Sequence, residues 1–206
     1  MKDFTANIRI KLSQIHKNAW AHEHMQPNFR GKWIQTEPAR KSAVLIIIFP
    51  KYNELHIIYT KRTTNKNDKH SGQISFPGGK FDEPDSNLQH TAIRETLEEI
   101  GIAIAPELIV GTLSEIHIPV SNFDVQPFVA ILNKAPQNYK LEIAEIAEIL
   151  EVPLSHLHSL ENRKTKIITH KNQEITIPFY AWKEHEIWGA TAMITAELLE
   201  ILKNKI

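Results

Sequence analysis

The apolar run Ala43-Val44-Leu45-Ile46-Ile47-Ile48-Phe49 constrains this chain more than any other segment. It is rich in β-branched residues, too short for a buried helix and closed by Pro50, so it reads as a strand. Every position in it is apolar, which leaves no face suited to water, and such a strand must be covered on both sides. The run is also far short of the roughly 20 apolar residues needed to cross a bilayer.

The rest of the chain supplies the covering layers. Phe4, Ile8, Leu12 and Ile15 fall near one helical stripe. Leu55 to Thr60 is a second strand, joined to the first by a turn at Lys51-Tyr52-Asn53, and residues 61–72 form a polar loop. Gln73 to Phe76 is a short strand stopped by Pro77-Gly78-Gly79. A helix is predicted from about Ser86 to Ile100, with Ser86 and Gln89 at capping-box spacing and Gly101 as the terminating residue. Further strands are expected around 108–117 and 125–132, a helix near 142–150, and a hairpin of 166–169 with 175–179 around Lys171-Asn172. The last helix begins near Ala190 and carries Met193, Ile194, Glu197, Leu198 and Ile201 in 3.6-residue rhythm. Strands interleaved with helices in this way indicate a mixed α/β fold with helices on both sheet faces.

Composition excludes several functions. Lys+Arg and Asp+Glu stand at 24 each, so the basic footprint of a nucleic-acid binder is missing. With no cysteine, disulfide frameworks, cysteine-ligated zinc and cysteine nucleophiles are excluded. The eleven histidines are scattered and none makes an HExxH signature, so they read as surface or core residues. The N-terminus lacks the apolar stretch of a signal peptide, and a cytoplasmic enzyme is the expectation.

The chemistry concentrates in Gly78-Gly79-Lys80-Phe81-Asp82-Glu83-Pro84-Asp85 and Arg94-Glu95-Thr96-Leu97-Glu98-Glu99-Ile100-Gly101. Residues three and four apart share a helix face, so Glu95, Glu98 and Glu99 project together with Arg94 one turn before Glu98. Ile93, Leu97 and Ile100 point to another side as core anchors. Clustered carboxylates repel one another unless something neutralises them, and a hard divalent cation does so with oxygen ligands. Such a cation also polarises a phosphoryl oxygen and lowers the pKa of a bound water. Arg94 can orient a glutamate by a charge-assisted pair, and the glycines let backbone approach a ligand closely.

This segment resembles the Nudix box, G-x5-E-x7-R-E-U-x-E-E-x-G-U with U a bulky apolar residue. Arg94, Glu95, Leu97, Glu98, Glu99, Gly101 and Ile102 match it. Counted from Gly79, Asp85 stands where the first glutamate belongs, and Arg94 arrives one residue late. Both departures resemble the coenzyme A pyrophosphatase branch, which has an upstream motif of the form L-L-T-x-R-S-x3-R-x3-G-x3-F-P-G-G. Ile58 to Thr63 and Gly72 to Gly79 correspond to it here. Arg62 matches its first arginine, whereas Asn67 occupies the nominal place of the second, with Lys66 or Lys69 as substitutes.

The resemblance implies one Nudix hydrolase domain over 1–206, an α/β/α sandwich with a mixed sheet between helices, residues 1–40 forming a helical extension packed on it. It implies Mg²⁺ or Mn²⁺ held by Glu95, Glu98 and Glu99 with the carbonyl of Gly79, and Arg94 in the catalytic set. The general base is Glu98 or Glu145. Glu145 lies in the Glu142/Glu145/Glu148 series beside Ile143, Ile146 and Ile149, which reads as an amphipathic helix. Arg62, Lys69 and Lys80 are the substrate-phosphate candidates. Asp85 suits the helix entrance near the positive dipole end, and Trp182 and Trp188 suit either base stacking or burial in a sheet. The implied partner is a small nucleotide-like substrate, with neither nucleic acid nor membrane, and the fold is compatible with a homodimer. The implied reaction is cleavage of coenzyme A or its acyl derivatives into phosphopantetheine and adenosine 3′,5′-bisphosphate. The alternative is another nucleoside diphosphate derivative such as ADP-ribose or a dinucleoside polyphosphate.

Overall fold

Strand β1 (Arg40–Lys51) is the axis of the molecule. In the computed structural model, which describes residues 2–14, 19–28, 37–64, 70–170 and 173–203, Leu45 to Phe49 are wholly buried. Ile46 and Ile48 face one apolar cluster, while Ala43, Leu45, Ile47 and Phe49 face another. The period-2 alternation of a strand thus feeds two cores at once. Each fully buried isoleucine of this run contributes about 1.5–3 kcal/mol relative to exposure. Pro50 does not end the strand: it pairs with Leu55 and the ladder closes at Lys51 with Glu54.

Around β1 an eight-stranded mixed sheet is built, with main order β3-β2-β1-β7-β5. Its members are β2 (Glu54–Arg62), β3 (Ile74–Ser75), β4 (Gly78–Lys80), β5 (Ile109–Thr112), β6 (Ile116–Ile118), β7 (Phe123–Ile131) and β8 (Ile146–Pro153). The β1–β7 pair is parallel and its other pairs are antiparallel. Helix α1 (Lys2–Gln14), a 3₁₀ segment at Ala19–Met25 and α4 (Gly189–Leu202) lie on the Ile46/Ile48 side, and α2 (Leu88–Ile100) lies on the other. A second antiparallel sheet, β9 (Arg163–His170), β10 (Gln173–Trp182) and β11 (His185–Trp188), joins the α4 side through Tyr180 and Ile187. Between β8 and β9 runs a short helix, α3 (Leu154–His158). The fold is therefore the expected α/β type, a mixed sheet between helices, with the separate three-stranded sheet as an addition.

Three local readings are corrected. The helix expected near 142–150 is a turn followed by β8, paired antiparallel with β2. Ile143 is 80% exposed, so the three-residue series does not bury one helical stripe. Leu150 and Val152 face the α4-side cluster and Ile149 the α2-side cluster, a strand alternation that sheet pairing selects over helical spacing. Helix α2 is capped by Asn87, whose side-chain oxygen accepts from His90 N at 3.0 Å, instead of by a Ser86/Gln89 box. Leu97 is half exposed, whereas Ile100 is fully buried and Ile93 packs on the α2-side core. At the far end Gly101 is left-handed as expected, its N–H reaching Leu97 O at 3.0 Å. Ile15, Lys66, Asn67, Lys69 and the Lys171-Asn172 turn lie outside the described residues.

Candidate active site

Strand β4 places the two glycines. It pairs antiparallel with β1 in the register Ala43 with Gly79 and Val44 with Gly78. Gly78 has φ +150°, and a Cβ there would lie 2.3 Å from Ala43 O. Only glycine fits this strand pair. At Gly79 the obstacle is different: a Cβ would stand 2.5 Å from the Glu95 carboxylate. The absence of a side chain is what lets the helix α2 carboxylate lie against the β4 backbone.

Arg94 organises the face of α2. Its Nε and Nη2 donate to the two oxygens of Asp85, each at 2.9 Å, in a bidentate pair. Its Nη1 donates to Glu95 Oε1 and Glu98 Oε2, both at 2.9 Å, and Nη2 also reaches Lys80 O at 3.2 Å. The Arg94 contacts engage one oxygen of each glutamate. Asp85, 6% exposed, further accepts from Thr91 Oγ1 at 2.9 Å and Asp82 N at 3.2 Å. The Arg94 guanidinium is the main reason its carboxyl is held down at about 2. Asp85 is therefore an anchor for Arg94, more specific than a residue placed for the helix dipole.

Glu99 is the exceptional carboxylate. It is 4% exposed, and its Oε2 accepts from Gly78 N at 3.1 Å. Burial pushes its carboxyl up to about 8, against the Gly78 N–H and with the charges of Glu95 and Glu145 adding to the rise. Arg62 acts in the opposite direction. Burial likewise raises Glu95, with Arg94 opposing. Glu98 is the most open of the three, its side chain 57% exposed.

The structure thus brings together Gly79, Arg94, Glu95, Glu98 and Glu99, with Glu145 and Arg62 close enough to act electrostatically on Glu99. Glu145 sits in the turn before β8, where Thr63 N donates to its carbonyl at 2.8 Å. Lys80 is exposed and pairs with Asp82 at 3.1 Å. Trp182 packs edge-on against His156, a structural contact. The residues that sequence reasoning missed are Thr91, which braces Asp85, and Asp82, whose N–H does the same. Neither carries a signal readable without the loop geometry. The donor chemistry suits a hard divalent cation: three carboxylates on one helix face, one of them buried and short of hydrogen-bond donors, beside a backbone strand cleared by Gly79.

Residues 39–173 match the NUDIX domain family, and the chain belongs to it: it is a Nudix hydrolase, a pyrophosphatase acting on small nucleotide derivatives. It is 32% identical over 170 residues to the mitochondrial coenzyme A diphosphatase NUDT8 of Homo sapiens, covering 82% of this chain and 72% of that one. It is also 32% identical over 163 residues to the uncharacterized Nudix hydrolase NudL of Photorhabdus laumondii, covering 78% and 84% respectively. In fold it resembles a MutT/nudix family protein from Enterococcus faecalis, with TM-score 0.58, 16% identity and coverage of 96% and 74%. A MutT protein from Methanosarcina mazei Go1 gives TM-score 0.54 at 20% identity, covering 84% and 100%. Nudix enzymes generally use divalent metal ions. Among the described residues no helix is long and apolar enough to cross a membrane.

Proposed function

We propose that this protein hydrolyses the diphosphate linkage of coenzyme A or its acyl derivatives, giving a phosphopantetheine and adenosine 3′,5′-bisphosphate. The observation that carries the hydrolytic reading is the buried, donor-poor Glu99 beside Glu95 and Glu98 on one face of α2. The coenzyme A assignment is supported by similarity to a coenzyme A diphosphatase and by the match of Arg62 and Gly72–Gly79 to that branch's upstream motif.

Glu95, Glu98 and Glu99, with the Gly79 carbonyl, would hold Mg²⁺ or Mn²⁺. When bound, the ion polarises a phosphoryl oxygen and lowers the pKa of a water ligand. Arg94, fixed by Asp85, holds Glu95 and Glu98 in place. Water adds its oxygen to phosphorus, the bridging P–O bond breaks, and a carboxylate takes the water's proton. Glu98 is the first choice for that base and Glu145 the second, since Glu145 acts on the same carboxylate cluster. Arg62, Lys80 and Lys69 bind the substrate phosphates in this scheme.

Product analysis with coenzyme A, ADP-ribose and a dinucleoside polyphosphate, each with Mg²⁺, Mn²⁺ and EDTA, tests the reading. Metal-dependent cleavage of coenzyme A far above the others is the expected result. Preference for another substrate would retain the hydrolase and remove the coenzyme A assignment. Asn67 at the nominal second arginine position is the feature that favours that alternative.

A further inference from the structure

A second cluster of ligating groups lies on the opposite side of the sheet from α2. On β8, Glu148 alternates in step with Leu150 and Val152, which face the α4-side core, while Ile149 faces the α2 side. There it meets the start of β11. His185 is 6% exposed, and its Nε2 is buried without a hydrogen-bond partner among the described residues. Glu184, in the turn joining β10 to β11, has a side chain that is 74% exposed.

His185 Nε2 lies 3.3 Å from Glu148 Oε1 and 3.6 Å from Glu184 Oε1, and the three ligand atoms all lie within 4.8 Å of one another. A buried imidazole nitrogen normally finds a partner, and leaving it without one is costly. Here two carboxylate oxygens are near, yet neither satisfies hydrogen-bond geometry with it. Ligands of one shared ion sit in this way, because the nitrogen's axis then points at the ion instead of at either oxygen. Tetrahedral bonds of about 2.0–2.1 Å separate neighbouring ligand atoms by about 3.3–3.4 Å, close to the two spacings observed. Lys61 Nζ, 3.8 Å away, approaches the other oxygen of Glu148, Oε2, so Oε1 is the one turned toward His185.

We propose that Glu148, Glu184 and His185 form a second divalent-metal site, distinct from the α2 carboxylates, that takes a borderline cation of the Zn²⁺ class. One imidazole and two carboxylates suit such an ion, whereas Mg²⁺ prefers octahedral oxygen and water. The site joins β11 of the small sheet to β8 of the large one, so its consequence is structural. It locks the two sheets together without touching the diphosphate-cleaving face.

The test is calorimetric titration of Zn²⁺ into EDTA-stripped Glu98→Gln/Glu99→Gln protein, folded by circular dichroism, in which the α2 site keeps only Glu95 of its three carboxylates. The same double variant is then titrated with Glu184→Gln or His185→Asn added. One Zn²⁺ equivalent is expected in the double variant, weakened about tenfold or more by Glu184→Gln and lost with His185→Asn. Zn²⁺ should raise the melting temperature only where the three ligands are intact. Because Glu184 is exposed, its variant carries the test even if the His185 variant misfolds. The site is overturned if the double variant binds no Zn²⁺, or if Glu184→Gln leaves affinity and melting shift unchanged.

Discussion

Two glutamates are buried on opposite faces of the same sheet, and they are provided for in opposite ways. On α4, Glu197 is 1% exposed and fully engaged: His22 Nε2 lies 2.8 Å from Oε2, Ser114 Oγ donates to Oε1 at 2.7 Å, and Ser114 N reaches both oxygens at 3.2 Å. On α2, Glu99 is 4% exposed and receives Gly78 N at 3.1 Å, with Glu95 and Glu145 as its electrostatic company. Burial alone therefore does not mark a functional carboxylate. The distinction lies in whether the surroundings complete its hydrogen bonds or leave it to be completed by a ligand.

The sharpest way to break this contrast is to neutralise each glutamate in turn. Glu99→Gln should lower turnover by about 100-fold or more, since losing a group that holds the metal should exceed the roughly 10–100-fold cost of losing one that only supports such a group. Its metal-free fold should be no less stable above pH 8, because a costly buried charge is removed. Steady-state kinetics paired with urea unfolding checks both halves. Glu197→Ala should do the reverse: about 3–5 kcal/mol of stability lost, because His22 and Ser114 are stranded, with turnover at a permissive temperature unchanged. If Glu197→Ala silences a folded enzyme, or Glu99→Gln unfolds an active one, the contrast fails.

A smaller effect is expected from Gly79→Ala. The new methyl would displace the Glu95 carboxylate, the movable end of a side chain, so activity should fall about 10–100-fold with little change in melting temperature. A large loss of stability instead would show that β4, and not Glu95, yields.

The mildest test is a pH series. Glu99 has its metal-free carboxyl raised to about 8. Its raised pKa favours the fold at pH below the usual carboxylate range, and that contribution is lost as pH rises through about 8. Metal binding must then expel a proton, so apparent Mg²⁺ affinity should climb by up to about tenfold per pH unit below 8 and level off above it. Asp85 runs the other way. Held down at about 2 by Arg94, it stabilises the fold above the usual carboxylate range and ceases to do so as pH falls through about 2. Calorimetry across pH, with Glu99→Gln as the flat control, measures the first; acid unfolding of Asp85→Asn against the parent measures the second.

What the sequence reveals follows the same division. The two-sided burial of β1, the extent of α2 and its Gly101 terminus, and the shared face of Arg94, Glu95 and Glu98 follow from local periodicity and chain geometry. β8 does not, because Ile143, Ile146 and Ile149 are spaced as in a helix and only pairing with β2 decides otherwise. Nor does the bond of Asp85 to Arg94, which depends on how the loop from β4 folds back. The Glu148/Glu184/His185 cluster is invisible for a further reason: Glu148 comes from one sheet, while Glu184 and His185 come from another, so no spacing along the chain announces it.

The parallel pairing of β1 with β7 has a kinetic consequence. Lys41 and Asp124, which face each other across that pair, are 83 positions apart in sequence, and everything from β4 to the end of α2 lies inside the loop they close. Loop closure of this length must be met before the pairing rewards it. The acidic helix packs mainly on β1 and β4, both ahead of it in the chain, so a peptide excised around it without β1 should neither hold its register nor concentrate its charges. Glu145 follows β7 in the chain, so during synthesis no chain released before the turn ahead of β8 has emerged can complete this site.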